Sequence, residues 1–116
     1  MYTELKAGDH TYKLRLTNQG IVQYEKEMGE SPLQMFMRID EDIMPKITDM
    51  TKLLHTMLQT YEHGITLKDA GEILDRYIED GNTYYEDFML LLIDALQTSG
   101  FLPKNKEEDP GEEGKN

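Results

Sequence analysis

The chain has no cysteine among its 116 residues, and it has no long apolar run. The absence of cysteine excludes disulfide bonds, thiolate zinc sites and a cysteine nucleophile, and it favours a reducing compartment. The longest apolar run, Phe88–Ile93, has six residues, whereas a helix that spans a bilayer needs about 20. The N-terminus also lacks the basic start and apolar stretch of a secretory signal. We therefore expect a cytoplasmic protein that is not embedded in a membrane.

Basic residues are scarce in this sequence. Lys and Arg together number 12, whereas Asp and Glu number 23, which gives a net charge of −11. A surface this acidic repels the phosphates of nucleic acids and the anionic inner face of a membrane. No local cluster of basic residues offsets that repulsion. We therefore expect neither a nucleic acid nor a membrane among the partners.

Motifs for catalysis and for metal binding are also missing. The acidic run Asp40–Asp42 resembles the start of a calcium loop, but Pro45 stands where that loop requires Gly and Thr51 where it requires Glu. His55 and His63 lie two helical turns apart, about 12 Å, which is too far for both to bind one metal ion. The sequence has no phosphate-binding glycine loop and no G-x-S-x-G motif. We therefore expect a protein that is not an enzyme and that binds no cofactor or metal.

The first 16 residues predict a β-hairpin. Tyr12, Leu14 and Leu16 alternate with polar residues, which is typical of a half-buried strand. Gly8–Asp9 has the composition of a two-residue hairpin turn. Such a ribbon is marginally stable alone in water, so its apolar face must pack on helices or on a partner. The turn predicts three residue pairs: Ala7 with His10, Leu5 with Tyr12, and Thr3 with Leu14.

From residue 17 onward the apolar spacing becomes helical, and capping residues predict about five helices. The third helix has the clearest pattern, since its apolar residues recur at the helical period from Met50 to Tyr61. The last helix is expected to begin with a capping box of Thr83 and Glu86. The predicted helices run from Thr17 or Asn18 to Met28, from Ser31 to about Asp40, from Thr48 to His63, from Thr66 to Gly81, and from Thr83 to about Ser99.

These elements predict one mainly α domain over residues 1–103, in which an N-terminal β-hairpin is followed by about five helices in a compact bundle. Residues 104–116 contain none of the hydrophobic side chains that could be buried in a core. We therefore predict that residues 104–116 form a disordered acidic tail.

Two segments carry more apolar surface than a small domain is expected to hide. The run Phe88–Ile93 makes its helix apolar on every side, so this helix is either central to the domain or partly covered by another molecule. In the second predicted helix, two methionines flank Phe36, and methionine adapts to irregular apolar partners, although it also fills cores. We predict a partner-binding role for six residues: Met35, Phe36, Met37, Phe88, Met89 and Leu92.

The sequence resembles the tail assembly chaperones of long-tailed phages and prophages of Gram-positive bacteria. The likeness lies in the segments YTELKAGDHTYKLRLT, IVQYEKEMGESPLQMF and ITDMTKLLHTMLQTYEHGITLKDAGEILDRYIEDG, and it covers about residues 2–102. The resemblance implies a protein that binds the tape measure protein, a long and partly apolar helical chain, and keeps it in solution. It also implies recruitment of tail tube subunits, action in the host cytoplasm and absence from the mature virion.

Two other functions are compatible with the composition. An acidic decoy would imitate DNA and block a nucleic-acid-binding host protein, but it needs carboxylates with few basic residues among them. Here the charges are interleaved, as in Glu25–Glu27 and Lys68–Asp69. A permanent structural subunit of the tail is the other alternative. The apolar surface could also serve self-association, so a homo-oligomer remains open.

Overall fold

The N-terminal residues form the predicted hairpin in a computed structural model that describes residues 1–103. Strands β1 (Thr3–Ala7) and β2 (His10–Leu14) pair antiparallel in the predicted register, with Ala7 opposite His10 and Thr3 opposite Leu14. The turn requires glycine, because Gly8 has a φ of +64° and a Cβ at this position would lie 3.1 Å from Nε of Arg76.

One face of the hairpin packs on helices of the same chain. Thr3, Leu5 and Ala7 are buried, whereas the alternating Glu4 and Lys6 are exposed. The hydroxyl of Thr3 donates a hydrogen bond to Oδ2 of Asp94 in the last helix, at 2.8 Å. The helices therefore supply the cover that an isolated ribbon lacks.

Five α-helices follow the hairpin, and with it they confirm the predicted mainly α fold. The first begins after Thr17, whose hydroxyl accepts a hydrogen bond from the N–H of Gly20, so Thr17 and not Asn18 is the N-cap. A 3₁₀ helix, Arg38–Glu41, follows α2, and a π-helical turn, Tyr84–Phe88, leads into α5. The α-helices are α1 (Asn18–Met28), α2 (Pro32–Met37), α3 (Ile47–Leu58), α4 (Leu67–Glu79) and α5 (Met89–Thr98).

Helix α3 is shorter at its C-terminus than predicted. It begins at Ile47 instead of Thr48 and ends at Leu58 instead of His63. Beyond Leu58, the hydroxyl of Thr60 donates a hydrogen bond to the carbonyl of Arg15 at 2.9 Å, which ties the turn to the end of the hairpin. The chain therefore leaves the helix before Tyr61, which is partly exposed instead of continuing the apolar stripe.

The start of α5 corrects the predicted capping box. The N–H of Phe88 donates to the carbonyl of Thr83 at 3.0 Å, which spans five residues and defines a π-helical turn. The wider turn moves the capping partner along by one residue. Oδ2 of Asp87, and not Glu86, accepts the hydrogen bond from the N–H of Thr83, at 2.8 Å.

The core lies between α3 and the elements around it. Helix α3 contacts β2 and all four of the other α-helices, and its apolar stripe is fully buried. Helix α5 lies against α3 and β1. The core stripe of α3 consists of Met50, Leu53, Leu54, Met57 and Leu58.

Two further predictions concern the C-terminal tail and insertion into a membrane. The predicted tail, residues 104–116, lies outside the residues that the structure describes. Among residues 1–103, no helix is long and apolar enough to cross a membrane.

Candidate partner-binding surface

The structure divides the six residues predicted to bind a partner. Met35 is 2% exposed, and Phe88 and Leu92 are completely buried, so these three side chains belong to the core. The folded chain therefore does not offer these three side chains to another molecule, and a partner-binding role for them stays a prediction. Phe36 and Met89 are half-buried, and Met37 is 63% exposed. Only these last three side chains are accessible to another molecule.

The geometry of α2 explains why two nearby methionines differ so strongly. Successive residues of an α-helix are rotated by about 100°, so residues two positions apart point in nearly opposite directions. Helix α2 lies on α1 and α3, and its inner side carries Pro32 and Met35. Met37 consequently lies on the side of α2 that faces away from the core.

The chain turns sharply after the 3₁₀ helix, and this turn brings more apolar residues near Met37. Asp42 adopts the left-handed conformation, with φ +63°. Its N–H donates to the carbonyl of Ile39 at 2.9 Å, and the N–H of Ile43 donates to the carbonyl of Arg38 at 3.0 Å. This pair of hydrogen bonds is a Schellman motif, which folds the residue after the turn back over the last helical turn.

The result is a small exposed surface, which we call the apolar patch and define as Met37, Ile43 and Met44. Ile43 is 49% exposed and Met44 is 46% exposed. The Schellman hydrogen bond places the backbone of Ile43 against that of Arg38, next in sequence to Met37. Three large apolar side chains therefore meet the solvent within one short stretch of chain.

Ile43 and Met44 lie between the second and third predicted helices and are not among the residues predicted to bind a partner. A signal was available, because two large apolar residues precede Pro45 in a segment that is otherwise charged. Such residues in a loop have no periodic face through which to enter a core. They are therefore candidates for a surface contact.

Three carboxylates lie in the chain between Met37 and Ile43 of the apolar patch. Asp40, Glu41 and Asp42 are all exposed, and no salt bridge within residues 1–103 joins them to a basic side chain. The nearby Arg38 is already paired, since it donates hydrogen bonds of 2.6 and 2.9 Å to the two carboxylate oxygens of Glu30. Those hydrogen bonds hold the pKa of Glu30 below its usual range and raise the pKa of Arg38. Arg38 therefore does not neutralise the acids around the patch.

Helix α5 exposes a second apolar area. Phe88, Leu92, Ala95 and Leu96 are buried, whereas Leu90 is 58% exposed. Tyr85, in the preceding π-helical turn, is also exposed. The chain covers one side of this helix and leaves part of the other side open to solvent. Cover of that open side by another molecule stays a prediction.

A polar groove lies between α1 and α3, with a volume of about 510 Å³. Its lining includes Gln23, a salt bridge between Glu27 and Lys52, and His55. Nε2 of His55 is 2.8 Å from the carbonyl oxygen of Ile65, and its buried Nδ1 has no hydrogen-bond partner within residues 1–103. The groove offers hydrogen-bonding groups, in contrast to the apolar patch.

Metal-binding groups do not converge within the described part of the chain. No group of three or more His, Asp or Glu residues is arranged to hold a metal ion there. The absence of a cofactor and of enzymatic activity stays a prediction.

The fold and the patch together define a class of protein: a small helical domain with an N-terminal β-hairpin and an acid-rimmed apolar surface. The chain belongs to DUF6096, a family of unknown function, which matches residues 2–112. No curated protein and no solved structure matches the chain.

Proposed function

We propose that this protein is a phage or prophage tail assembly chaperone. It binds the tape measure protein, keeps it in solution and helps to recruit tail tube subunits. The observation that carries this proposal is the apolar patch, where three large apolar side chains remain open to solvent. Exposed apolar surface is what a protein needs in order to hold an apolar segment of another chain.

The composition of the patch suits a partner with many similar binding segments. Two of its three side chains are methionines, which are flexible and polarisable and adapt to irregular apolar surfaces. A long chain is held through many segments of differing sequence, so a binding surface that accepts different sequences is useful. The net charge of −11 would keep the loaded complex soluble.

The holding step requires no unfolding of the chaperone. The stripe of α3 is completely buried, so the core remains intact while the patch contacts the partner. The resemblance to tail assembly chaperones supports this choice of partner, and the exposed side chains of the apolar patch support it as the binding surface.

The proposal is tested by co-expressing the protein with a tape measure protein from the same phage or prophage. We expect the soluble fraction of the tape measure protein, measured after centrifugation, to rise several-fold. M37E should reduce that gain, because it places a charge in the apolar patch. L67E is the matched control, since Leu67 is an exposed apolar residue on α4.

Two results would contradict the proposal. In the first, the tape measure protein stays insoluble with the unchanged chain. In the second, M37E and L67E keep it soluble equally well.

The same proposal predicts where the protein is found. A chaperone acts in the host cytoplasm and is absent from the finished particle, whereas a structural tail subunit is present in it. Mass spectrometry of purified virions distinguishes the two, and a stoichiometric amount of this chain in the particles would refute the chaperone role.

A further inference from the structure

The negative charges near the apolar patch favour a partner that carries positive charge. Asp40, Glu41 and Asp42 lie in the chain between Met37 and Ile43, and the Schellman hydrogen bond brings the two ends of this stretch together. The three carboxylates and the three apolar side chains therefore share one turn.

The acidic character extends beyond the turn itself. The hydrogen bonds from Arg38 to Glu30 raise the pKa of Arg38 most, and the charges of Asp49 and Glu41 raise it further. The other nearby cation is Lys46, which influences the carboxylate of Glu30. Acids therefore outnumber bases around the patch even after the pair between Arg38 and Glu30 is counted.

The backbone of the turn is already hydrogen-bonded. The N–H groups of Asp42 and Ile43 both donate to carbonyls of the 3₁₀ helix. These two N–H groups are therefore not available to an added strand. A helix satisfies its own backbone and binds through side chains, so a helix suits this surface better than a strand.

We propose that the apolar patch binds an amphipathic helix whose apolar face is flanked by Lys or Arg. The apolar side chains of that helix contact Met37, Ile43 and Met44, and its basic side chains face Asp40, Glu41 and Asp42. This inference rests on the proposed function, because it describes the segment of the partner that is held. A second copy of this chain is disfavoured as the occupant, since two patches with the same negative charge repel each other.

The test uses two designed peptides and the full chain. Each peptide has about 18 residues, because shorter isolated helices are marginal in water. Both carry Leu at the same helical spacing, but one has Lys beside the apolar face and the other has Glu. Affinity is measured by fluorescence anisotropy, and the binding site is located by amide chemical-shift changes.

We expect the Lys peptide to bind about tenfold more tightly than the Glu peptide at low ionic strength, which is the combined effect of three exposed ion pairs. The shift changes should centre on residues 37–46. Raising the salt from about 0.05 to about 0.5 M should reduce the preference for Lys, because screening shortens the range of the charges. Apolar binding should persist at the higher salt.

The triple variant D40N/E41Q/D42N removes the rim charges while it keeps the side-chain sizes, and asparagine tolerates the left-handed conformation at position 42. We expect this variant to bind both peptides alike. The matched control, E72Q/D75N/E79Q, removes the same number of charges from exposed positions of α4. The control should retain the preference for the Lys peptide.

The inference is overturned if both peptides bind equally to the unchanged chain, if the shift changes fall on α5 instead, or if the two triple variants behave alike. It is also overturned if sedimentation shows a dimer that M37E dissociates, because a second copy would then cover the patch. These failures are distinct from failure of the chaperone role. A chain that keeps the tape measure protein soluble but shows no preference for the Lys peptide loses only this inference.

Discussion

Helix α3 and the segment of residues 32–44 are both rich in Met, Leu and Ile, but the fold treats them differently. The apolar stripe of α3 is completely buried, whereas Met37, Ile43 and Met44 are about half exposed or more. Helix α3 runs without interruption from Ile47 to Leu58, so its apolar residues all face the same side. In the other segment, the short helix α2 passes into a 3₁₀ helix and then a left-handed turn. Apolar content alone therefore does not decide burial, because a continuous periodic face is also needed.

The largest effect is expected at Phe88, the last residue of the π-helical turn before α5, because its side chain is completely buried. Replacing Phe88 with Ala should lower the free energy of unfolding by about 3–5 kcal/mol, because it leaves a cavity where a completely buried ring packs near Tyr77. The exposed Leu90 is the control, since Leu90→Ala should change the free energy by no more than about 0.5 kcal/mol. Urea unfolding followed by circular dichroism measures both. Equal losses would show that the two sides of α5 are not packed as described.

The two methionines of α2 test the difference between a buried and an exposed apolar residue within one helix. Met35→Ala should cost about 2–5 kcal/mol of stability, because Met35 is buried against the core. Met37→Ala should cost about 0.5 kcal/mol or less, since Met37 is exposed. The same urea titration compares them. A larger loss for Met37 than for Met35 would reverse the assigned orientation of α2.

A smaller change in stability is expected at the π-helical turn before α5. Asp87→Ala removes the acceptor for the N–H of Thr83 and should cost about 1 kcal/mol, which is typical of one lost hydrogen bond. Glu86→Ala should have an effect within about 0.5 kcal/mol, because Glu86 is not the capping partner in this structure. Thermal unfolding of the two variants shows whether Asp87 or Glu86 is the capping partner of Thr83. If Glu86→Ala were the more damaging change, the first turn would be α-helical as the sequence predicted.

The smallest effect is expected at the hairpin turn, which is held by a charge instead of by apolar burial. Asp80 accepts a hydrogen bond of 2.7 Å from the N–H of Gly8, and this bond lowers the pKa of Asp80. A lowered pKa means that the charged form stabilises the fold. This contribution is complete above the ordinary aspartate pKa of about 3.9 and is lost as the pH falls through the lower value of the folded state.

Asp80→Asn tests this pH dependence. The difference in stability between the unchanged chain and the variant should be largest above about pH 4 and should shrink in more acidic solution. Unfolding curves recorded at several pH values measure that difference, and NMR titration of the carboxyl group measures the pKa itself. A pKa at or above the ordinary value would contradict the hydrogen bond.

Local features of the structure were the most predictable from the sequence. The hairpin register follows from the Gly8–Asp9 turn and the alternation of the strands, and the N-caps at Thr17, Ser31 and Thr66 follow from hydrogen bonds within a few residues. The candidate site was less predictable. Of its three patch residues, only Met37 was identified, because the other two depend on how the chain turns after the 3₁₀ helix.

The sequence by itself determined the hairpin and its register, the approximate number of α-helices and the acidic charge, since each depends on neighbouring residues or on composition. Only the tertiary structure decided which apolar side chains are accessible. Met35, Phe88 and Leu92 are as apolar as Met37, Ile43 and Leu90, but contact with α3 and its neighbours buries the first three and not the others. Burial depends on which side of each helix meets the rest of the chain, and residues distant in sequence set that orientation.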